Sequence, residues 1–223
     1  MIAEENLSNK YQPLISISNA NVVLLISKLM KQTVPHFKTY LVSDFYKKRK
    51  LNEDDFTQIY IEQAQILIRN YDYPFNINGQ YRDITNQSKG FSDFYFYPNE
   101  QNVSTTSFFS VESKRLPSPE KSREKEYVIG EKNNGGIERY KTEKHGKGLY
   151  ECGLLGFIEK ENSSYWIKEI NNWLKILSEI DKNWNKDEAL SESESNTEFC
   201  FLKSIARRKS GVINLTHLWV LLN

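Results

Sequence analysis

Three charged residues stand where two apolar strands would bring them together. Gly90-Phe-Ser-Asp93-Phe-Tyr-Phe-Tyr97 places a carboxylate at the head of an aromatic run, and Ser107-Phe-Phe-Ser-Val-Glu112-Ser-Lys114-Arg115-Leu116 ends a second run in Glu-x-Lys. Side chains alternate faces along a strand, so Glu112 and Lys114 point to one side. If the two runs form a hairpin with 97–107 as its connection, Asp93 comes beside Glu112. Two carboxylates that close repel each other unless a cation lies between them. Hard oxygen ligands suit Mg²⁺, which takes one or two protein carboxylates together with water and phosphate oxygens. Lys114 would orient or deprotonate a water, or offset charge on the phosphate. The competing reading makes all three solvated surface charges, worth about 0–1 kcal/mol as an ion pair.

The order Gly-x-x-Asp strand, apolar run, Glu-x-Lys resembles the PD-(D/E)xK nuclease superfamily, with the resemblance centred on residues 53–116. Asp93 takes the place of the motif's Asp, Glu112 of its Asp/Glu and Lys114 of its Lys, while Ser92 stands where the motif has proline. The resemblance implies an α/β, restriction-endonuclease-like fold, a central mixed β-sheet flanked by helices and carrying extra N-terminal helices. It implies a metal-dependent endonuclease that hydrolyses phosphodiester bonds in DNA, with RNA the other substrate to test. Mg²⁺, for which Mn²⁺ can substitute, would be held by Asp93, Glu112 and the carbonyl of Ser113. The family often draws a further acid from the preceding helix; Glu53 and Glu62 are the candidates, and Glu53 is favoured. By analogy the chain would be a restriction or anti-phage defence effector, alone, as a homodimer or with a defence-system partner protein. The alternatives are a catalytically inactive nuclease-fold protein that binds nucleic acid or a protein partner, and an RNA-cleaving toxin.

These residues need elements to hold them. Helical spacing of Val22, Val23, Leu25, Ile26, Leu29 and Met30 predicts a helix over 19–32, ended by Pro35, and a second from His36 with Phe37, Tyr40, Leu41 and Phe45 on one stripe. Lys47-Lys-Arg-Lys50 follows, either a phosphate-contacting cluster or favourable charge at a helix C-terminus. Asn52 can cap a third helix whose first turn is Glu53, Asp54 and Asp55 and whose core stripe is Phe56, Ile59, Tyr60, Ala64, Leu67 and Ile68. The stretch 71–84 reads as strand, with Asn78-Gly79 as a tight hairpin turn, and 86–89 as loop. Pro117 and Pro119 stop the Glu-x-Lys strand. In 120–148, Gly135-Gly136 ahead of Arg139, Lys144 and His145 offers backbone N–H groups and cations to a phosphate backbone, making those three the candidate nucleic-acid contacts. Glycine turns and a hydrogen-bonded structural histidine account for the same residues. The apolar run 151–159 reads as a buried helix, 164–184 as an amphipathic helix, 187–198 as a solvated loop, and 199–205 and the apolar end as buried strand and core.

At 223 residues one domain is expected, with 1–50 a helical extension packed on a core of 51–223. A formal net charge of +1 provides no global basic field, so any nucleic-acid surface must be local. Cys152 and Cys200, the only cysteines, lack metal-ligand spacing and suit buried thiols in a reducing compartment. The N-terminus carries no secretory pattern and the longest apolar run is too short to span a bilayer, so no membrane partner and a cytoplasmic location are expected.

Overall fold

A computed structural model describes residues 19–82, 90–99 and 107–223. The loop expected at 86–89, and residues 100–106 of the connection between the motif strands, lie outside the described residues. Helix α1 (Asn19–Leu41) buries Ile26, Leu29, Met30, Val34 and Phe37 along one stripe. It runs through Pro35, where a break was expected, and the two N-terminal helices are therefore one. An internal proline costs about 3 kcal/mol, but Val34 and Phe37 on either side are fully buried. Phe37 packs at 5.7 Å from the Tyr60 ring and 5.6 Å from Phe157. The Tyr60 hydroxyl donates to the Met30 carbonyl at 2.6 Å, tying α1 to the next helix.

That helix, α2 (Glu53–Asn70), starts as its sequence demands. Asn52 accepts from the Asp55 N–H and Asp55 accepts from the Asn52 N–H, a reciprocal cap, with Glu53, Asp54 and Asp55 in the first turn. All six expected stripe residues are buried.

Seven strands form one mixed sheet: β1 (Phe75–Arg82), β2 (Phe91–Pro98), β3 (Phe109–Leu116), β4 (Glu151–Ile158), β5 (Ser191–Ser195), β6 (Phe199–Arg208) and β7 (Gly211–Leu221), in the order β1-β2-β3-β4-β7-β6-β5. The central pairs β3–β4 and β4–β7 are parallel, and the flanking pairs are antiparallel. Helices α1 and α2 cover one face over Phe75, Phe94, Phe96 and Phe157. The other face is covered by the 120–150 segment, with its short helix α3 (Gly136–Lys141), and by α4 (Ser163–Ile180), packed on Leu154, Leu202 and Trp219.

Besides the break at Pro35, three further sequence expectations are corrected. The run 151–159 is not a helix but β4, the middle strand; a short continuous apolar run is equally what a strand buried on both faces looks like. Its glycines admit aromatic rings: a β-carbon on Gly156 would lie 2.4 Å from Trp219 Cδ1, and one on Gly153 2.9 Å from Phe109. Asn78-Gly79 makes no turn, because β1 continues through it in unbroken register with β2. The solvated loop at 187–198 contains β5, an edge strand with every side chain exposed. Its glutamates keep that edge soluble.

Buried His217 on β7 completes a polar chain inside the second core. Trp219 Nε1 donates to the Tyr127 hydroxyl at 2.8 Å, Tyr127 lies 2.8 Å from His217 Nδ1, and Nε2 lies 2.9 Å from Ser204 Oγ. The chain closes if Tyr127 donates to Nδ1 and a neutral Nε2–H donates to Ser204. Burial pushes the imidazole down to about 3. Because the unfolded histidine, near 6.5, takes up a proton first, this group's contribution is complete above pH 6.5 and is lost between 6.5 and 3, a total on the order of 5 kcal/mol. His217→Gln should therefore remove about 2 kcal/mol of the stability difference between pH 7 and pH 5 in urea unfolding. An identical difference in both proteins would show that the imidazole is not the acid-sensitive group.

Candidate active site

The site opens where β2 parts from β3. The two pair through Phe96↔Phe109, Tyr95↔Ser110 and Phe94↔Val111, and there the ladder stops. Continuing that register sets Asp93 opposite Glu112, on the face away from α1 and α2. On the other side of β2 the Gln80–Asp93 pair is likewise missing between Gly79↔Phe94 and Tyr81↔Ser92, and Gln80 holds a left-handed φ of 50°. The edge of β3 beyond Val111 thus has no strand to bond, and unpaired buried backbone groups are expensive. Carboxylates and an ammonium replace the strand. The Ser113 N–H donates to Asp93 Oδ2 at 2.6 Å, the Arg115 N–H donates to Glu53 Oε2 at 2.9 Å, and the Ser113 carbonyl accepts from Lys114 Nζ at 2.7 Å.

Lys114 joins the acids to one another. Its Nζ donates to Glu112 Oε1 at 2.9 Å and to Glu53 Oε1 at 3.1 Å. Glu53 is the first residue of α2, so the Asn52 cap that begins the helix also aims this carboxylate at the β3 edge. Glu62, about two and a half turns further on, accepts from Gln58 instead. Of the two candidate helix acids, Glu53 is the one placed with Lys114.

Glu112 is fully buried. Besides Lys114, its Oε1 accepts from Arg139, which α3 presents from across the site. The Tyr140 hydroxyl anchors that helix with its one proton, shared between the carbonyls of Gly153 at 2.8 Å and Ser110 at 3.1 Å. Gly135 and Gly136 do not form the anion-binding loop expected of them. The Gly135 N–H donates to Glu138 and the Gly136 N–H to the Glu126 carbonyl. The glycines serve close packing, since a β-carbon on Gly135 would meet the Val128 carbonyl oxygen at 2.4 Å. His145 Nδ1 stands 3.0 Å from Glu112 Oε2 without hydrogen-bond alignment, leaving both atoms buried and unsatisfied among the described residues. Gly90 backs the imidazole so closely that a β-carbon there would lie 2.4 Å from Nε2.

Of the three residues read from sequence as nucleic-acid contacts, Arg139 and His145 therefore face Glu112. Lys144 donates to the carbonyls of Lys132 and Asn133 and to Asn134 Oδ1, closing its own loop. Nothing in the spacing of Arg139 and His145 marked them as companions of Glu112, because they lie 27 and 33 positions further on, past the end of β3 and two 3-10 turns, the first within the short helix α3 and the second beyond it.

The electrostatics separate the two motif carboxylates. Burial raises the Glu112 carboxyl, but Lys114, His145 and Arg139 outweigh it and hold the group at about 2. Burial and then the neighbouring Glu112 charge push Asp93, which among the described residues has a single hydrogen bond, from Ser113, and no ion pair at contact distance, up to about 7. Lys114 is raised: burial opposes its charge, and Glu112, Glu53 and Asp93 overcome it. Fully ionised, Glu53, Asp93 and Glu112 exceed the two permanent cations Lys114 and Arg139 by one negative charge. The cluster therefore attracts a proton or a cation beside Asp93.

The donor set suits a hard divalent ion at that point. Asp93 has an oxygen beyond the one bonded to Ser113, and Glu112 Oε2 is buried without a hydrogen bond among the described residues. The Ser113 carbonyl, the third expected ligand, is engaged by Lys114. Among the described residues no group of three or more His, Cys, Asp or Glu side chains is arranged as a metal site, so the set is two carboxylates. The chain matches no protein-family model, no curated protein and no solved structure. No described helix is long and apolar enough to cross a membrane.

Proposed function

We propose that the chain is a metal-dependent nuclease of the restriction-endonuclease-like type, hydrolysing phosphodiester bonds in DNA. The observation that carries this reading is the gap between β2 and β3, where Asp93, Glu112 and Lys114 meet with Glu53 from α2. A Mg²⁺ or Mn²⁺ ion held by Asp93 and Glu112 would supply Lewis acidity to the attacking water and the scissile phosphate. Lys114, raised by three carboxylates, stays an ammonium. It therefore does not remove a proton; its three N–H groups are donated to Glu112, Glu53 and the Ser113 carbonyl, so it would position the water or the phosphate oxygen by exchanging the longest of these bonds, that to Glu53 at 3.1 Å. Glu53 fixes that ammonium from the outer side, and Arg139 holds Glu112 in place, with His145 packed beside its other oxygen. The overall change is addition of water to phosphorus and release of one ester oxygen as an alcohol.

A direct test incubates the protein with duplex DNA, single-stranded DNA and RNA in Mg²⁺ or Mn²⁺. Lys114→Ala should lower turnover by about 10²-fold or more at saturating metal while metal affinity by calorimetry changes little. Undiminished turnover in that variant would remove Lys114 from the reaction.

One observation favours a second reading, a nucleic-acid-binding protein with an inert site. Lys114 and Arg139 both occupy Glu112 Oε1, so the buried carboxylate is already balanced by the protein's own cations. Nucleic-acid binding with no cleavage in either metal would select it.

A further inference from the structure

Two of the cations expected on nucleic acid, Arg139 and Lys144, are engaged within the protein, as are the arginines at the end of β6. Arg139 is on Glu112 and Lys144 on loop carbonyls, while Arg207 pairs with Asp187 and Arg208 donates to the Gly146 and Leu149 carbonyls. Lys47, Lys48, Arg49 and Lys50 are different. All four are exposed, and they form no ion pair with the described residues. Nor do they serve the α1 C-terminus, since that helix ends at Leu41 and the dipole's influence fades within the last turn.

The same segment exposes aromatic surface. Phe45 is 58% exposed and Val42 70% exposed. The Arg49 guanidinium lies 4.2 Å from the Phe45 ring centroid, and Phe45 packs edge-on to Tyr46 at 4.7 Å, with Tyr40 a further 5.3 Å beyond. The rings are thus held by one another, and Phe45, with Arg49 over its ring, keeps more than half of its surface in solvent at the head of a run of positive charge. The segment also leads straight into the site: Lys50 is three residues before Glu53, at most about 11 Å away along the chain.

We infer that the turn at 42–51 is the substrate-holding edge of the site, taking unpaired nucleotides by base stacking on Phe45 and by phosphate contacts to Lys47, Lys48 and Lys50. This rests on the nuclease reading of the adjoining carboxylates. Aromatic rings exposed among lysines suit a single strand, whose bases are free to stack, whereas a duplex offers its bases only at ends. Single-stranded DNA and RNA share this chemistry, so both are probes.

The test is fluorescence anisotropy with labelled oligothymidylate, oligouridylate and a duplex of equal length, in EDTA so that nothing is cleaved, with Mg²⁺-dependent cleavage followed separately. Wild type should hold single strands more tightly than duplex, and the tighter of the two single strands identifies the source. Phe45→Ala should weaken single-strand binding about tenfold with an unchanged salt slope, and Phe45→Trp should retain it. Replacing Lys47, Lys48 and Lys50 by Ala should flatten the slope by about 2. Single-strand binding that neither set of substitutions alters, or a preference for duplex, overturns the inference. If binding changes as stated but wild type cleaves nothing in any metal, the nuclease reading falls and the binding edge stands.

Discussion

Asp93→Asn is expected to abolish metal-dependent cleavage and, at the same time, to make the protein more stable. The two effects have one origin. Asp93 titrates at about 7 in the fold against 3.8 for an ordinary aspartate. As pH rises from 3.8 to 7 the unfolded chain gives up its proton first, so the folded state is progressively disfavoured over that window. At pH 7.5 the penalty is about 2–3 kcal/mol once the partial exposure of the carboxylate is allowed for. Asparagine retains an oxygen for the Ser113 N–H and removes the charge that Glu112 repels. A chain of this size should gain about 5 °C or more in melting temperature at pH 7.5 and nothing at pH 4, where wild-type Asp93 is largely protonated. Added Mg²⁺ should raise the wild-type melting temperature, since a ligand that binds only the folded state stabilises it. It should do so more steeply above pH 7, and not in the variant. Calorimetric melts at the two pH values, with and without Mg²⁺, read all three effects. A variant less stable than wild type at pH 7.5 would mean that Asp93 is a structural anchor and not a strained ligand.

The part of this site carried by local pattern was legible in sequence. Alternation along a strand puts Glu112 and Lys114 on one face wherever the strand lies, and Asn52 with three acids marks the start of α2 in any context; Glu53 itself was singled out only through the family resemblance. What sequence could not show is where ladders stop. Asn78-Gly79 carries the signal of a tight turn, yet β1 continues because Phe75 and Ile77 are buried against the helices and set the register beyond it. The run 151–159 has no periodicity to read, since its surroundings bury both faces. Pro35 was outweighed by packing of Phe37 on two rings that come from distant segments. Arg139 and His145 reach Glu112 only because tightly packed glycines position α3 and its following loop. Gly135-Gly136, seen in sequence, fits an anion loop and a close approach equally well. Each miss involves a partner distant in the chain, and the successes are arrangements completed within a few residues or across one hairpin, as with Asp93 and Glu112.

The buried position of Glu112 alters what its removal should do. From sequence alone, Glu112→Ala would inactivate and leave the fold intact. In the structure the side chain is fully buried with Lys114 and Arg139 on one oxygen and His145 beside the other. Alanine leaves Lys114 inside the protein with only Glu53 for a charged hydrogen-bond partner, and breaking a buried pair from one side costs about 3–5 kcal/mol. That is a large share of the 5–15 kcal/mol of a typical domain. Urea unfolding should therefore show Glu112→Ala strongly destabilised. Glu112→Gln, which keeps an acceptor and the volume, should lose less stability but the same cleavage. The depressed carboxyl adds a pH signature: the wild-type contribution from Glu112 is complete above its unfolded value of 4.5 and is lost as pH falls towards 2, and the Gln variant lacks that loss. Removing both charges separates packing from pairing. Glu112→Leu combined with Lys114→Met should recover much of the stability lost in Glu112→Ala, since apolar replacement of a whole buried pair is near neutral, while remaining inactive. If Glu112→Ala unfolds within about 1 kcal/mol of wild type, the cluster contributes no more than surface ion pairs, and the site must be looser than the distances around Glu112 require.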